Sequence, residues 1–131
     1  MLSAIIVAGG SSQRMGFDKL FATIAGEPVI AHAMRAFERA TSVGEIVVVA
    51  REQCHDEIKN IVSGAGFKKI RAIVPGGERR QDSVRAGLDH IDREAKYVAV
   101  HDAARPLVNP EEIERAFEKC RVHGASALAQ P

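Results

Sequence analysis

Three short stretches of this chain carry residue types that could act on a phosphate. AGGSSQRMGFDK, residues 8–19, places two glycines, two serines, Arg14, Gly16 and Lys19 directly after the apolar run AIIV. Glycine has no Cβ, so backbone N–H groups at Gly9 and Gly10 can approach an anion, and Arg14 and Lys19 add positive charge. PGGERRQDS, residues 75–83, repeats the glycine pair and ends in Ser83 near a helix start, where the helix end favours an anion or a polar base edge. HDAARP, residues 101–106, sets Asp102 directly after an apolar run. A carboxylate at a strand's carboxyl end is a hard oxygen ligand, suited to Mg2+ shared with phosphate oxygens.

Each stretch also has a plainer reading. Gly and Ser make turns, Pro75-Gly76 starts one, Asp82 or Ser83 can cap a helix, and Asp102 can cap a turn and pair with Arg105. The first loop fits neither familiar phosphate template. Gly10 and Gly16 stand five residues apart with Phe17 after them, so G-x-x-x-x-G-K-[ST] fails; Gly9 and Gly10 are adjacent, so G-x-G-x-x-G fails. No Ser-His-Asp arrangement, G-x-S-x-G elbow or zinc spacing is present. His101 reads as a packed or hydrogen-bonded neutral ring, and His32, His55, His90 and His123 are scattered without a shared chemistry. Two glycine-rich loops, two cations and a metal-type carboxylate, with no side-chain nucleophile, suit nucleotidyl transfer. One phosphate attacks the α-phosphate of a nucleoside triphosphate, and the protein positions it and neutralises growing charge.

The elements that must position these loops alternate. Strands are expected at 2–8, 45–50, 70–74, 97–102 and 125–130, and helices at 28–40, 56–66, 81–94 and 109–120. Val29, Ile30, Ala33, Met34 and Phe37 share one helical face, with Pro28 as first helical residue; Ile58, Ile61, Val62 and Ala65 share another, ended by Gly64 or Gly66. Val84, Leu88 and Ile91 form a third, and Ile113, Ala116, Phe117 and Cys120 a fourth, capped by Asn109 with Pro110 and Glu112 behind it. Alternating strands and helices predict an α/β fold: a mostly parallel sheet with helices on both faces, its continuous apolar strands buried on both sides. Ligands of such sheets sit beyond the carboxyl ends of the strands, so the three loops are expected at one rim.

Composition sets the outer bounds. The chain has 131 residues, enough for one domain with a real core, 46% hydrophobic and 27% charged, with a formal net charge of +1. That charge argues against nucleic acid as a partner. No apolar run approaches the ~20 residues that span a bilayer, and MLSAIIVAGG lacks the basic start of a signal peptide. Cys54 and Cys120 read as reduced thiols, which points to a cytoplasmic setting.

AGGSSQRMGFDKL, GGERRQDSVRAGL and VHDAARPLV, in this order and spacing, resemble the 2-C-methyl-D-erythritol 4-phosphate cytidylyltransferase family, and the resemblance runs through essentially all 131 residues. It implies a Rossmann-like nucleotidyltransferase fold, CTP and Mg2+ as cosubstrate and cofactor, methylerythritol phosphate as acceptor, and a homodimer in the full-length enzyme. It implies that Ala8, Gly9, Gly10 and Ser12 line the CTP phosphates and that Arg14 and Lys19 stabilise the pentacoordinate phosphorus. Gly77, Glu78 and Ser83 match cytosine- and ribose-contacting positions, Asp102 the metal ligand, Ala103 a ribose contact, and Arg105 a residue near the acceptor phosphate.

Ser12 stands where the family often has Gly, Phe17-Asp18-Lys19-Leu20 where many members have Pro-Lys-Gln, and Glu78 where some have Asp. Family members are roughly 100 residues longer. The remainder would carry a dimerisation arm, a second metal-binding aspartate and the residues that hold the acceptor phosphate. Residues 1–131 are therefore expected to be a single, truncated CTP-binding domain. Two rivals stand beside transfer to methylerythritol phosphate: a ribitol- or other sugar-phosphate cytidylyltransferase, and a nucleotide-binding module without catalysis.

Overall fold

In the computed structural model, residues 1–8 and 19–125 are described. Four parallel strands form the main sheet: β1 (Leu2–Val7), β4 (Val43–Ala50), β5 (Ile70–Pro75) and β6 (Tyr97–Asp102), in the order β5-β4-β1-β6. A separate two-stranded hairpin pairs β2 (Thr23–Ile24) with β3 (Glu27–Pro28). The helices are α1 (Val29–Arg39), α2 (Glu52–Ala65), α3 (Arg80–Leu88) and α4 (Pro110–His123). The α/β reading is correct. The strand expected at 125–130 lies outside the described residues, apart from Ala125.

β1 is apolar along almost its whole length and buried throughout, because both faces are covered. On one face Ala4, Ile6, Ile46 and Val48 pack against Ile30, Met34 and Phe37 of α1, Cys54 and Ile58 of α2, and Ile113 and Phe117 of α4. On the other, Ile5, Val7, Val47, Val49 and Val74 pack against Val84 and Ala86 of α3 and Ile91 beyond it. The chain winds from β1 to β4 to β5, then crosses back to place β6 on the far side of β1. The winding direction therefore reverses between β1 and β6, the kind of switch point at which open α/β sheets hold ligands.

Local signals account for most boundaries. Asn109 accepts from the Glu112 N–H at 2.9 Å, Glu112 accepts from the Asn109 N–H at 3.2 Å, and Pro110 opens α4. Gly66 ends α2 in the left-handed conformation, φ 71°. Four expectations are corrected. Pro28 is not the first helical residue: it closes the hairpin opposite Thr23, and α1 starts at Val29. The third helix stops at Leu88, which is exposed rather than inward, while Ile91 reaches the core from the following turn. Ala116 and Cys120 are only half-buried. Among the described residues β6 lies at an edge of the sheet, with Val98 and Val100 37% and 42% exposed, so its apolar run is not covered on both sides by them.

The hairpin is an addition to the expected elements. Ala25 and Gly26 both have positive φ, 51° and 84°, as a two-residue hairpin turn requires. α1 holds it: the His32 ring bonds the Ile24 carbonyl at 2.6 Å, and Arg35 pairs with Glu27 while its guanidinium lies 5.4 Å from the Phe67 ring centroid.

Candidate functional site

Register brings the carboxyl ends of the strands into line. Val74 pairs with Val49, Val49 with Val7, and Val7 with Asp102, one row across the sheet. Each stretch singled out in the sequence runs on past that row: Ala8 follows Val7, Gly76 and Gly77 follow Pro75, and Ala103 follows Asp102. Backbone bonds tie the row together, with Ala8 N–H donating to Val49 O at 2.7 Å and Ala103 N–H to Val7 O at 2.9 Å. The second and third loops and the start of the first thus share one rim at the switch point.

Gly9, Gly10, Ser12 and Arg14 lie outside the described residues. Ala8 is buried just past β1, and residues 19–21 are helical, with Lys19 exposed and Leu20 buried.

In the second loop both glycines are required by close approach. A Cβ on Gly76 would stand 2.6 Å from Ser83 Oγ and 3.1 Å from Val49 Cγ1; one on Gly77 would stand 2.3 Å from Asp82 Cβ. Asp82, not Ser83, closes the first turn of α3, accepting from the Arg79 N–H and Nε, each at 3.3 Å. The Arg79 side chain, then its backbone N–H, holds the Asp82 carboxyl below its ordinary pKa. Ser83 is fully buried, and among the described residues its hydroxyl has no hydrogen-bond partner. Such a hydroxyl costs roughly 1–3 kcal/mol. It sits in the first turn of α3, the helix end that favours an anion or a polar ligand. Glu78 is exposed beside it.

In the third loop the Asp102 carboxylate accepts from the Ala104 N–H at 3.0 Å, and Arg105 N–H donates to the Asp102 carbonyl at 3.1 Å. Asp102 therefore caps its turn as one reading expects. No ion pair between its carboxylate and Arg105 occurs among the described residues, and Arg105 is exposed. Ala103 is fully buried. His101 is the packed histidine expected: its Nε2 lies 3.0 Å from the Arg105 carbonyl, and its ring stands 5.1 Å from the Phe37 ring. Burial lowers its pKa; the Arg105 carbonyl and Asp102 act against that, and Arg105 and Arg80 reinforce it.

No group of three or more His, Cys, Asp or Glu side chains able to hold a metal occurs among the described residues. Asp102 supplies one hard oxygen ligand, with one carboxylate oxygen engaged by its turn. That fits Mg2+, which is commonly held by one or two carboxylates and completed by phosphate oxygens and water. No helix among the described residues is long and apolar enough to cross a membrane.

A family model described as IspD, 2-C-methyl-D-erythritol 4-phosphate cytidylyltransferase, matches residues 2–131. A curated relative of that name from Dehalococcoides mccartyi strain CBDB1 is 40% identical over 131 residues, covering 99% of this chain and 57% of its own length. The crystal structure of 4-diphosphocytidyl-2C-methyl-D-erythritol synthase from Anaerococcus prevotii superposes with a TM-score of 0.79 at 30% identity, over 92% of this chain and 51% of that one. CMP:2-keto-3-deoxy-manno-octonic acid synthetase, solved with CTP, shares the fold at a TM-score of 0.72 and 21% identity, over 95% of this chain and 48% of that one. The chain thus spans about half the length of these proteins.

Proposed function

The chain belongs to the 2-C-methyl-D-erythritol 4-phosphate cytidylyltransferase family, and from that premise we propose that residues 1–131 are one CTP-binding unit of an enzyme that transfers a cytidylyl group from CTP to methylerythritol phosphate. An oxygen of the acceptor phosphate attacks the α-phosphorus of CTP. The bond to the β-phosphate breaks, and pyrophosphate leaves with the electron pair. The chain supplies no nucleophile; its residues bind, orient and neutralise.

The observation that carries this reading is the buried Ser83 hydroxyl at the start of α3, without a partner among the described residues and on the same rim as Asp102. A polar base edge would give that hydroxyl its missing bond, and a base seated there directs the triphosphate across the switch point toward the first loop. Gly77 and Glu78 border the base and ribose, and Ala103 offers the ribose a small, close wall. Ala8, Gly9, Gly10 and Ser12 receive the phosphates. Asp102 holds Mg2+, which when bound screens the triphosphate charge. Arg14 and Lys19 stabilise charge on the phosphorus during transfer, and Arg105 faces the acceptor phosphate. The complete enzyme works as a cytoplasmic homodimer in isoprenoid precursor synthesis.

Calorimetric titration with CTP in Mg2+ tests the binding half of this reading: CTP must bind, and do so more tightly than ATP or UTP. Pyrophosphate release on adding methylerythritol phosphate, against ribitol phosphate as a control, tests the transfer. CTP binding with no pyrophosphate release under any acceptor would select nucleotide binding without catalysis instead.

A further inference from the structure

His101 sits next to Asp102 in sequence, yet its ring turns onto Phe37 of α1 rather than toward a ligand. Its Nε2 meets the carbonyl of Arg105, four residues on, at 3.0 Å. A carbonyl only accepts, so Nε2 carries the hydrogen. The turn it closes, Asp102 to Arg105, holds two candidate ligand-binding side chains. Two other bonds shape that turn, Ala104 N–H to the Asp102 carboxylate and Arg105 N–H to the Asp102 carbonyl. Both end on Asp102, the residue whose carboxylate the ligand must recruit. A cation on that carboxylate competes with the Ala104 N–H for the same oxygen charge. The His101 bond does not depend on Asp102, and its ring is braced by a side chain of the core.

We propose that His101 is a positioning residue: wedged on Phe37 and bonded to the Arg105 carbonyl, it keeps the Asp102–Arg105 turn in one shape when Asp102 engages its ligand, so that Asp102 and Arg105 stay presented together. What the turn binds rests on the nucleotide reading above; the hold on the turn does not. His101→Phe keeps a ring against Phe37 and removes the donor. His101→Gln can bring an amide N–H near the position of Nε2.

Without ligand, backbone amide exchange of Ala104 and Arg105 is expected to quicken about tenfold in His101→Phe and to return to within about threefold of the parent in His101→Gln, with β1 amides unchanged. A long-range proton–nitrogen spectrum of the parent is expected to show the Nε2–H tautomer. CTP affinity in Mg2+ is expected to fall roughly tenfold in His101→Phe and to recover in His101→Gln, the scale usual for groups that orient a ligand-binding residue. An Nδ1–H tautomer, or parent-like exchange at both amides in His101→Phe, overturns the proposal. Faster exchange with unchanged CTP affinity overturns the link from turn to ligand. If the parent binds no CTP, the nucleotide reading fails, and exchange and tautomer alone decide the role of His101.

Discussion

The two ends of the sheet treat their polar groups in opposite ways. At the amino end, carboxylates tie loops that are distant in sequence. Glu45 accepts from Ser3 Oγ at 3.2 Å, from the Asp92 N–H at 3.1 Å and from Arg71 at 3.3 Å. Glu114 accepts from the Ser42 N–H at 2.8 Å and from the Ser42 and Thr41 hydroxyls. Glu38 accepts from the N–H groups of Lys68 and Lys69. At the carboxyl end, Ser83 Oγ is buried without a partner, and Glu78, Arg80 and Arg105 are exposed with no ion pair among the described residues. The amino end spends its polar groups on the fold. At the carboxyl end Asp82, Asp102 and His101 brace their own turns, while Ser83 Oγ, Glu78, Arg80 and Arg105 are not used in that way among the described residues, the pattern expected where stability and function separate.

The sharpest break in that contrast is expected at Lys19. In the complete enzyme Lys19→Ala should lower kcat for pyrophosphate release by roughly 10²–10³-fold, about 3–4 kcal/mol of transition-state stabilisation, and leave the melting temperature alone. A rise in KM with kcat intact would make Lys19 a ground-state clamp instead. Asp102→Ala comes next. It should abolish the Mg2+ dependence of CTP binding while circular dichroism stays that of the parent. Unchanged metal dependence would leave Asp102 as a turn cap only.

Ser83→Ala separates the two ends most directly. Removing a buried, unpartnered hydroxyl should stabilise the free protein by about 1 kcal/mol, while CTP binding weakens by a similar amount as a hydrogen bond is lost. A destabilised variant would mean that Ser83 serves the fold. The smallest effect is expected at the amino end. Glu114→Gln should cost about 1 kcal/mol in denaturant unfolding and nothing in CTP affinity. Burial raises the Glu114 pKa, but the bonds from Ser42 and Thr41 outweigh it and leave the folded value below the ordinary one. The contribution is therefore complete above the unfolded pKa and fades as pH falls through the folded one. The parent should lose stability on acidification over that range more steeply than Glu114→Gln; parallel pH curves would remove Glu114 from the account.

Much of this is legible in the sequence in order and kind, less in detail. The three loops announce themselves because glycine pairs, an isolated aspartate and clustered cations are local features. Asn109-Pro110 with Glu112 predicts the start of α4 because capping uses residues three apart. The hairpin escapes a sequence reading because its turn is Ala25-Gly26 rather than Asn-Gly or Asp-Gly, although Gly26 and Pro28 flanking Glu27 are a usable signal. The helix expected over 81–94 is too long because Ile91 continues the periodicity from outside the helix. His101 reads as packed from the sequence, but its bond to the Arg105 carbonyl depends on how the turn folds back.

The sequence by itself determined the class: alternating apolar strands and amphipathic helices, loops suited to phosphate, and three motifs specific to one family. Those follow from local patterns of hydrophobicity, backbone freedom and charge. Only the tertiary structure decided that, among the described residues, β6 lies at an edge with Val98 and Val100 exposed, that Glu45, Glu114 and Glu38 hold loops far away in sequence, and that the Ser83 hydroxyl has no partner there. Those depend on which strand lies beside which and on what fills the space between layers, and long-range packing, not neighbouring residues, settles both.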